Sequence, residues 1–178
     1  FDLERKLKPL NRVPHSVIGS SCIGASIMGG VCNNSGGALV ERGPAYTELA
    51  LYAKIDSYGN LVLINDLGIE LGDTPKEILN NLQNQYYDQG QIKFPNKLAS
   101  DNQYEQRVRN IEADTPSRFN ADKRRLYGAS GCAGKVAVFA VRLDTYPIPK
   151  RNQVFYIGTN SSRVLTTIRR DILSQFKH

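Results

Sequence analysis

The sequence predicts an α+β chain, and three stretches carry that expectation. Residues 48–55 and 61–64 read as strands on either side of Asp56-Ser57-Tyr58-Gly59-Asn60, which has the composition of a hairpin turn, so a local antiparallel pair is expected. Thr74-Pro75-Lys76-Glu77 combines an N-cap threonine, a proline at the first helical position and a glutamate three residues after the cap. A helix should start there and run to about residue 85. Residues 135–143, KVAVFAVRL, form a near-continuous apolar run that reads as a buried strand.

The remaining elements follow in chain order. Residues 3–10 have helical periodicity, and Pro9, Asn11 and Pro14 stop it. Residues 15–37 are almost wholly small. In the helix after Thr74, Ile78, Leu79 and Leu82 share one face. Residues 84–104 are polar, rich in Asn, Gln and Tyr and without a dependable period, which predicts an exposed connection. A short helix at 105–109, a turn at Asp114-Thr115-Pro116 and a basic helical turn at Lys123-Arg124-Arg125 lead to a second small-residue loop, 128–134. Tyr146-Pro147-Ile148-Pro149 breaks the chain and divides it into expected domains at 1–145 and 146–178. The second contains a predicted strand at 153–158 and an amphipathic helix at 162–176, with Val164, Leu165, Ile168, Ile172 and Leu173 on one side.

Composition bounds the function. With 178 residues and 40% apolar content the chain can bury one respectable core or two small ones. No apolar run approaches the roughly 20 residues that cross a bilayer, and the N-terminal FDLERKLKPL is too charged for a signal peptide, so a soluble chain is expected. The start at Phe1 and the end within a helical pattern read as cuts from something longer. The net charge of +6 comes from Lys and Arg interleaved with Asp and Glu, which favours a mixed solvated surface over a nucleic-acid patch. Cys22, Cys32 and Cys132 form no CxxC pair and are too few for a disulfide framework, so a reduced, cytoplasmic setting fits best. His15 and His178 are the two histidines, and a metal site is not expected.

The small-residue run is where chemistry is expected. Over 20 residues of Gly, Ala, Ser and Asn have few side chains to pack and much backbone entropy to lose, so something else must order them. Glycine lets backbone approach a flat or phosphorylated ligand, and successive N–H groups in such turns form anion-binding concavities. A dinucleotide offers both a planar ring and a pyrophosphate. The competing reading is a set of glycine turns packed tightly against a neighbouring sheet. No G-x-G-x-x-G opens a helix after a strand, and Gly131-Cys132-Ala133-Gly134-Lys135 lacks the spacing and the Ser/Thr of a phosphate-binding loop. Rossmann-type NAD binding and nucleotide hydrolysis lose weight accordingly.

These residues also carry a resemblance. PHSVIGSSCIGAS at 14–26, GG at 29–30, CNNSGG at 32–37 and RGPAYTE at 42–48 resemble the flavin-binding domain of the bacterial respiratory, quinone-dependent D-lactate dehydrogenase family. So do RVRNIEADTPSRFNAD at 107–122, SGCAGK at 130–135, AVFAVRLDT at 137–145 and VFYIGTN at 154–160. The family belongs to the vanillyl-alcohol-oxidase-like group. The resemblance therefore implies an α+β fold, namely the second subdomain of such an FAD-binding domain, an antiparallel sheet flanked by helices. Residues 1–145 would be the C-terminal part of that domain and 146–178 the start of a substrate, or cap, domain. It implies FAD contacts at Gly19, Ser26, Gly36 and Val138. Gly19 and Gly36 would present bare backbone, Ser26 a hydroxyl and an N–H, while Val138 reads as core and would contribute backbone only.

For the complete family enzyme the resemblance implies oxidation of D-lactate to pyruvate, with electrons passed to membrane quinone from the cytoplasmic face of the inner membrane, to which it binds peripherally. The catalytic base and the substrate-carboxylate arginine are expected in a later substrate domain, and the first FAD subdomain is expected to precede this chain. No catalytic residue is thus assigned here, and an exposed apolar surface is expected where the missing subdomain docks. Another 2-hydroxy acid such as glycolate, or a basic non-enzymatic binding module, are the alternatives. His15 reads as a structural hydrogen-bonder and the cysteines as compact fillers. Arg118, Lys123, Arg124 and Arg125 read as a solvated face in preference to a contact for acidic lipid.

Overall fold

Chain order in the computed structural model, which describes residues 2–15, 24–119 and 122–176, begins with helix α1 (Asp2–Leu7), a 3-10 turn at Lys8–Leu10 and strand β1 (Arg12–Val13). Helix α2 (Ile27–Cys32), strands β2 (Ala50–Ile55) and β3 (Leu61–Asn65), and helices α3 (Pro75–Asn84) and α4 (Tyr104–Arg109) follow. Strands β4 (Ala137–Val141) and β5 (Tyr146–Pro147) and helix α5 (Ser162–Gln175) complete it. This is a small α+β architecture with antiparallel sheets. The candidate contact Gly19 and Cys22 lie outside the described residues.

The central sheet has the order β3-β2-β4, all antiparallel. Strand alternation divides its side chains between two cores. Ala50, Tyr52, Ile64 and Val138 join Val31 and Ala129 on one face, while Leu51, Leu63 and Ala140 join Leu67, Leu71 and Ile78 of α3 on the other. β2 is therefore covered on both sides, and Leu51 is fully buried. The hairpin turn is held by Asp56, whose Oδ1 accepts from the N–H groups of Tyr58 and Asn60, each at 2.9 Å. α3 starts as its sequence dictates: Thr74 and Glu77 form the reciprocal capping box.

Four expectations need correction. Residues 135–143 do not form a strand buried on both faces: β4 is an edge strand, and a shift of register between Leu51 and Tyr52 accompanies an outward, 45% exposed Phe139. The small-residue run contains a helix, α2, because Ser26 caps it and Ile27, Met28 and Val31 give it just enough apolar surface to dock. Residues 84–104 are not a free connection, since Lys93 N–H donates to Gly68 O at 2.7 Å, Glu48 N–H to Leu98 O at 2.7 Å, and Tyr87 and Ile92 pack on the second core. Residues 153–158 form no strand among the described residues; Val154, Phe155 and Tyr156 are 78, 71 and 99% exposed in a segment without a ladder partner.

Around Tyr146-Pro147 the chain pairs back onto β1, with Ile148 N–H donating to Asn11 O at 3.1 Å and Arg12 bonding Thr145 through Nε at 2.9 Å. The helix beyond, α5, uses its predicted apolar side only near its C-terminal end. Leu173 packs on Val40, Tyr104 and Val108, while Val164 and Leu165 stay exposed. No helix among the described residues is long and apolar enough to cross a membrane.

Candidate functional site

Three of the four predicted cofactor contacts lie on elements that meet at the first core. The exposed Ser26 caps α2, its hydroxyl accepting from Gly29 N–H at 3.0 Å, and α2 buries Val31 completely in that core. Gly36 has a left-handed φ of 98° and bridges to Pro44, while Ser35 O accepts from Ala45 N–H at 2.7 Å, which binds this end of the run to the same cluster. Val138 pairs with Tyr52, and its half-buried side chain packs into the core, as its sequence setting suggested. β4 itself lies at the outer edge of the sheet.

The two small-residue loops are joined to each other. Gly131 N–H donates to Val31 O at 3.0 Å and Ala133 N–H to Cys32 O at 2.9 Å. Below this seam a buried polar knot holds the strands in place. Thr47 N–H donates to Ser130 Oγ at 3.0 Å, Ser130 Oγ to Thr47 O at 2.6 Å, and Thr47 Oγ1 to Arg142 O at 2.6 Å. Neither Ser130 nor Thr47 has a sequence neighbourhood that announces this role. Their signal was only that a hydroxyl stood inside an otherwise apolar or small stretch.

Cys32 and Cys132, the two described thiols, fit the filler reading. Burial, and next the Cys132 thiol beside it, push the Cys32 thiol up to about 11, so Cys32 stays protonated and a poor nucleophile at neutral pH. Among the described residues no group of His, Cys, Asp and Glu could hold a metal ion.

The basic cluster is not a solvated face as a whole. Asp101, with a side chain 1% exposed, pairs with Arg107, and Arg125 Nε lies 3.1 Å from the same carboxylate, an ion pair without hydrogen-bond alignment. Arg125 also donates to Gln103 Oε1 at 2.7 Å, and Arg124 to Asp122 Oδ2 at 2.5 Å. The Arg124 guanidinium and backbone hold the Asp122 carboxyl below its ordinary range. Arg118 Nε donates to Asn34 O at 2.8 Å, and Asn34 Nδ2 donates to Arg125 O at 3.0 Å. Arg118 and Arg125 thus fasten the far end of the small-residue run, and the sequence missed this because Asn34 lies 84 and 91 positions from them.

Two buried polar atoms near the run lack hydrogen-bond partners among the described residues: His15 Nδ1 and Asn34 Oδ1. Burial lowers the His15 pKa, which leaves a neutral ring at pH 7. Buried polar atoms normally find partners, so these two are exceptions among the described residues. Gly24 and Gly134 add left-handed backbone, with nothing within 4 Å of the point where a Cβ would stand.

The class these features define is a small α+β unit with its small-residue loops seated on an antiparallel sheet. Known proteins give the particular likeness. The chain is 59% identical over all 178 residues to the quinone-dependent D-lactate dehydrogenase of Escherichia coli (strain K12), covering 31% of that protein. It is 59% identical over 176 residues to the enzyme of the same name from Haemophilus influenzae, covering 31% of it, and 44% identical over 159 residues to that of Corynebacterium glutamicum, covering 28%. No protein-family model matches the chain. Over its whole length the chain is thus a relative of one segment of quinone-dependent D-lactate dehydrogenases, and it spans about 31% of the length of the first two.

Proposed function

We propose that this chain is the flavin-holding part of an FAD-dependent dehydrogenase that oxidises D-lactate to pyruvate and passes electrons to membrane quinone. The observation that carries this reading is 59% identity along the entire chain to a protein named for that reaction. In this reading Gly19, Ser26 and Gly36 line the cofactor with backbone and one hydroxyl, and Val138 offers the backbone of the edge strand. His15 Nδ1 and Asn34 Oδ1 supply the two free polar atoms. FAD, when bound, supplies the hydride-accepting chemistry, while the protein contributes placement and electrostatics.

The chain's own residues do three things. The Thr47–Ser130 knot fixes the two small-residue loops on the sheet, the Asp101–Arg107–Arg125 network fixes the far end of the first loop, and neutral His15 adds no charge beside the cofactor. The catalytic base is assigned to the rest of the protein, as is the first FAD subdomain. Residues 146–178 open the substrate domain in this reading, and the exposed Val154, Phe155 and Tyr156 meet the remainder of the protein. The absence of a long apolar helix among the described residues is compatible with a peripheral enzyme at the cytoplasmic face of the inner membrane.

The test is D-lactate-dependent reduction of a soluble quinone analogue by the full-length protein, followed with the bleaching of its flavin absorbance. D-lactate should bleach the flavin and Gly36→Val should abolish cofactor retention. A faster reaction with glycolate would transfer the reading to another 2-hydroxy acid. A full-length protein purified without flavin and unable to take it up would overturn it.

A further inference from the structure

Tyr104, the first residue of α4, is buried and stands against Gly37, the residue after the candidate flavin contact Gly36. Its hydroxyl donates to Gly37 O at 2.8 Å. Two glycines lie along its side chain: a Cβ on Gly37 would be 2.7 Å from the Tyr104 hydroxyl oxygen, and one on Gly43 would be 3.3 Å from Tyr104 Cβ. Both have left-handed backbone, with φ of 104° and 64°, and the bridge between Gly36 and Pro44 closes the loop they belong to. The same side chain packs with Val40, Val108 and Leu173 of α5, and the Arg107 guanidinium lies 5.8 Å from its ring centroid. The carbonyls at either end of this turn are thus both tied down, Gly37 O by Tyr104 and Asn34 O by Arg118. The Arg118 bond is solvent-exposed and water can replace it, whereas Tyr104 is only 6% exposed. Between the two ties, the N–H groups of Gly36 and Gly37 donate to no described residue. Asn34 Oδ1, in the same turn, is buried without a partner among the described residues, an acceptor that fits a polar group of the cofactor in the flavin reading.

We propose that Tyr104 is a positioning residue for the cofactor: by holding Gly37 O it keeps the Gly36–Gly37 turn in the backbone shape that meets the flavin, without touching the flavin itself. The peptide unit is planar and trans, so fixing one carbonyl fixes the plane of the peptide it belongs to. Consecutive glycines have the most backbone freedom to lose, and a turn ordered in advance spares the cofactor that entropic cost on binding. The inference rests on the reading of Gly36 as a flavin contact. Because Leu173 packs on the same ring, it also links the seating of α5 to the shape of the cofactor loop.

The experiment compares the full-length wild-type protein with its Tyr104→Phe variant, which keeps the ring and removes the hydroxyl. FAD affinity is read from flavin fluorescence on reconstitution of the stripped protein. The visible circular dichroism of the bound flavin reports how the loop sits around it, a signal that a loss of stability alone does not move. Tyr104→Phe should weaken FAD binding about fivefold, the size of one neutral hydrogen bond, and alter the dichroism. Val108→Ala trims the same apolar cluster and leaves the hydroxyl in place; it should lower the melting temperature with both flavin readouts unchanged. Gly37→Ala, whose Cβ would displace the hydroxyl, should weaken FAD further, and the double variant should bind no worse than Gly37→Ala alone, since both act on one contact. Wild-type affinity and dichroism in Tyr104→Phe, strictly additive losses in the double variant, or equal flavin changes in Val108→Ala would overturn the assignment and leave the flavin reading standing. A wild-type full-length protein that takes up no FAD would overturn the flavin reading and this inference with it.

Discussion

Gly128 and Gly131 in the second small-residue loop and Gly24 in the first all have left-handed backbone, with φ of 49°, 67° and 87°, yet they meet different surroundings. A Cβ on Gly128 would lie 2.9 Å from the Tyr52 ring, and one on Gly131 would lie 2.6 Å from Leu126 Cδ2. At Gly24 it would meet nothing within 4 Å. Gly128 and Gly131 are tied to glycine by protein pressed against them, which is the packing explanation the sequence left open, while Gly134 at the end of the same loop is open. Gly24 is tied to glycine by its left-handed φ and not by any contact among the described residues, so in the proposed reading its open side is free for a ligand. The contrast also shows that composition alone does not separate a packed glycine from a ligand-facing one.

Three substitutions separate the two causes. Gly128→Val combines backbone strain with overpacking against Tyr52 and should cost about 3 kcal/mol, read as a lower urea midpoint. Ser130→Ala leaves Thr47 N–H and O without their buried partner and should cost about 2 kcal/mol. A Ser130→Ala protein of wild-type stability would mean the knot is dispensable. Gly24→Ala, with a strained φ but no clash, should cost only about 1 kcal/mol of stability. Its larger effect should be on FAD affinity. If both small-residue loops were purely structural, stability and FAD affinity would instead fall together in all three variants.

The smallest effect is on pH dependence. His15 has a folded pKa below its unfolded value, so the unfolded chain binds more protons as pH falls below about 6.5, and the stability that neutral His15 contributes above that pH is lost on the acid side. His15→Gln should flatten the acid slope of the melting temperature in that window. Asp122, whose carboxyl is held low chiefly by Arg124, contributes stability that is complete above about 3.9 and disappears only as pH falls further. The two windows are separable, so an unchanged slope between about pH 5 and 6.5 in His15→Gln would show that burial does not hold this ring neutral.

Much of the fold was legible because it is written locally. The Asp56 hairpin, the Thr74–Glu77 capping box, the short helix at α4 and the amphipathic α5 each depend on residues within a few positions of one another. What escaped depends on distant partners. β4 reads as doubly buried because its residues are apolar, but only the strand order makes it an edge. Residues 153–158 have strand composition without a partner strand to pair with among the described residues. The same distinction holds at the candidate site. Small residues marked Ser26 and Gly36, whereas Asn34, Thr47 and Ser130 gain their roles from bonds to residues 83 to 91 positions away.

Whether the first small-residue loop faces a flavin is decided by FAD binding to this chain in a calorimeter, alone and mixed with the segment proposed to hold the first FAD subdomain. Saturable binding is expected in the mixture, lost in Gly36→Val and kept in a variant at packed Gly128 that still folds. A mixture that takes up no FAD, or a Gly36→Val variant that binds as well as the native chain, would contradict a cofactor-facing loop.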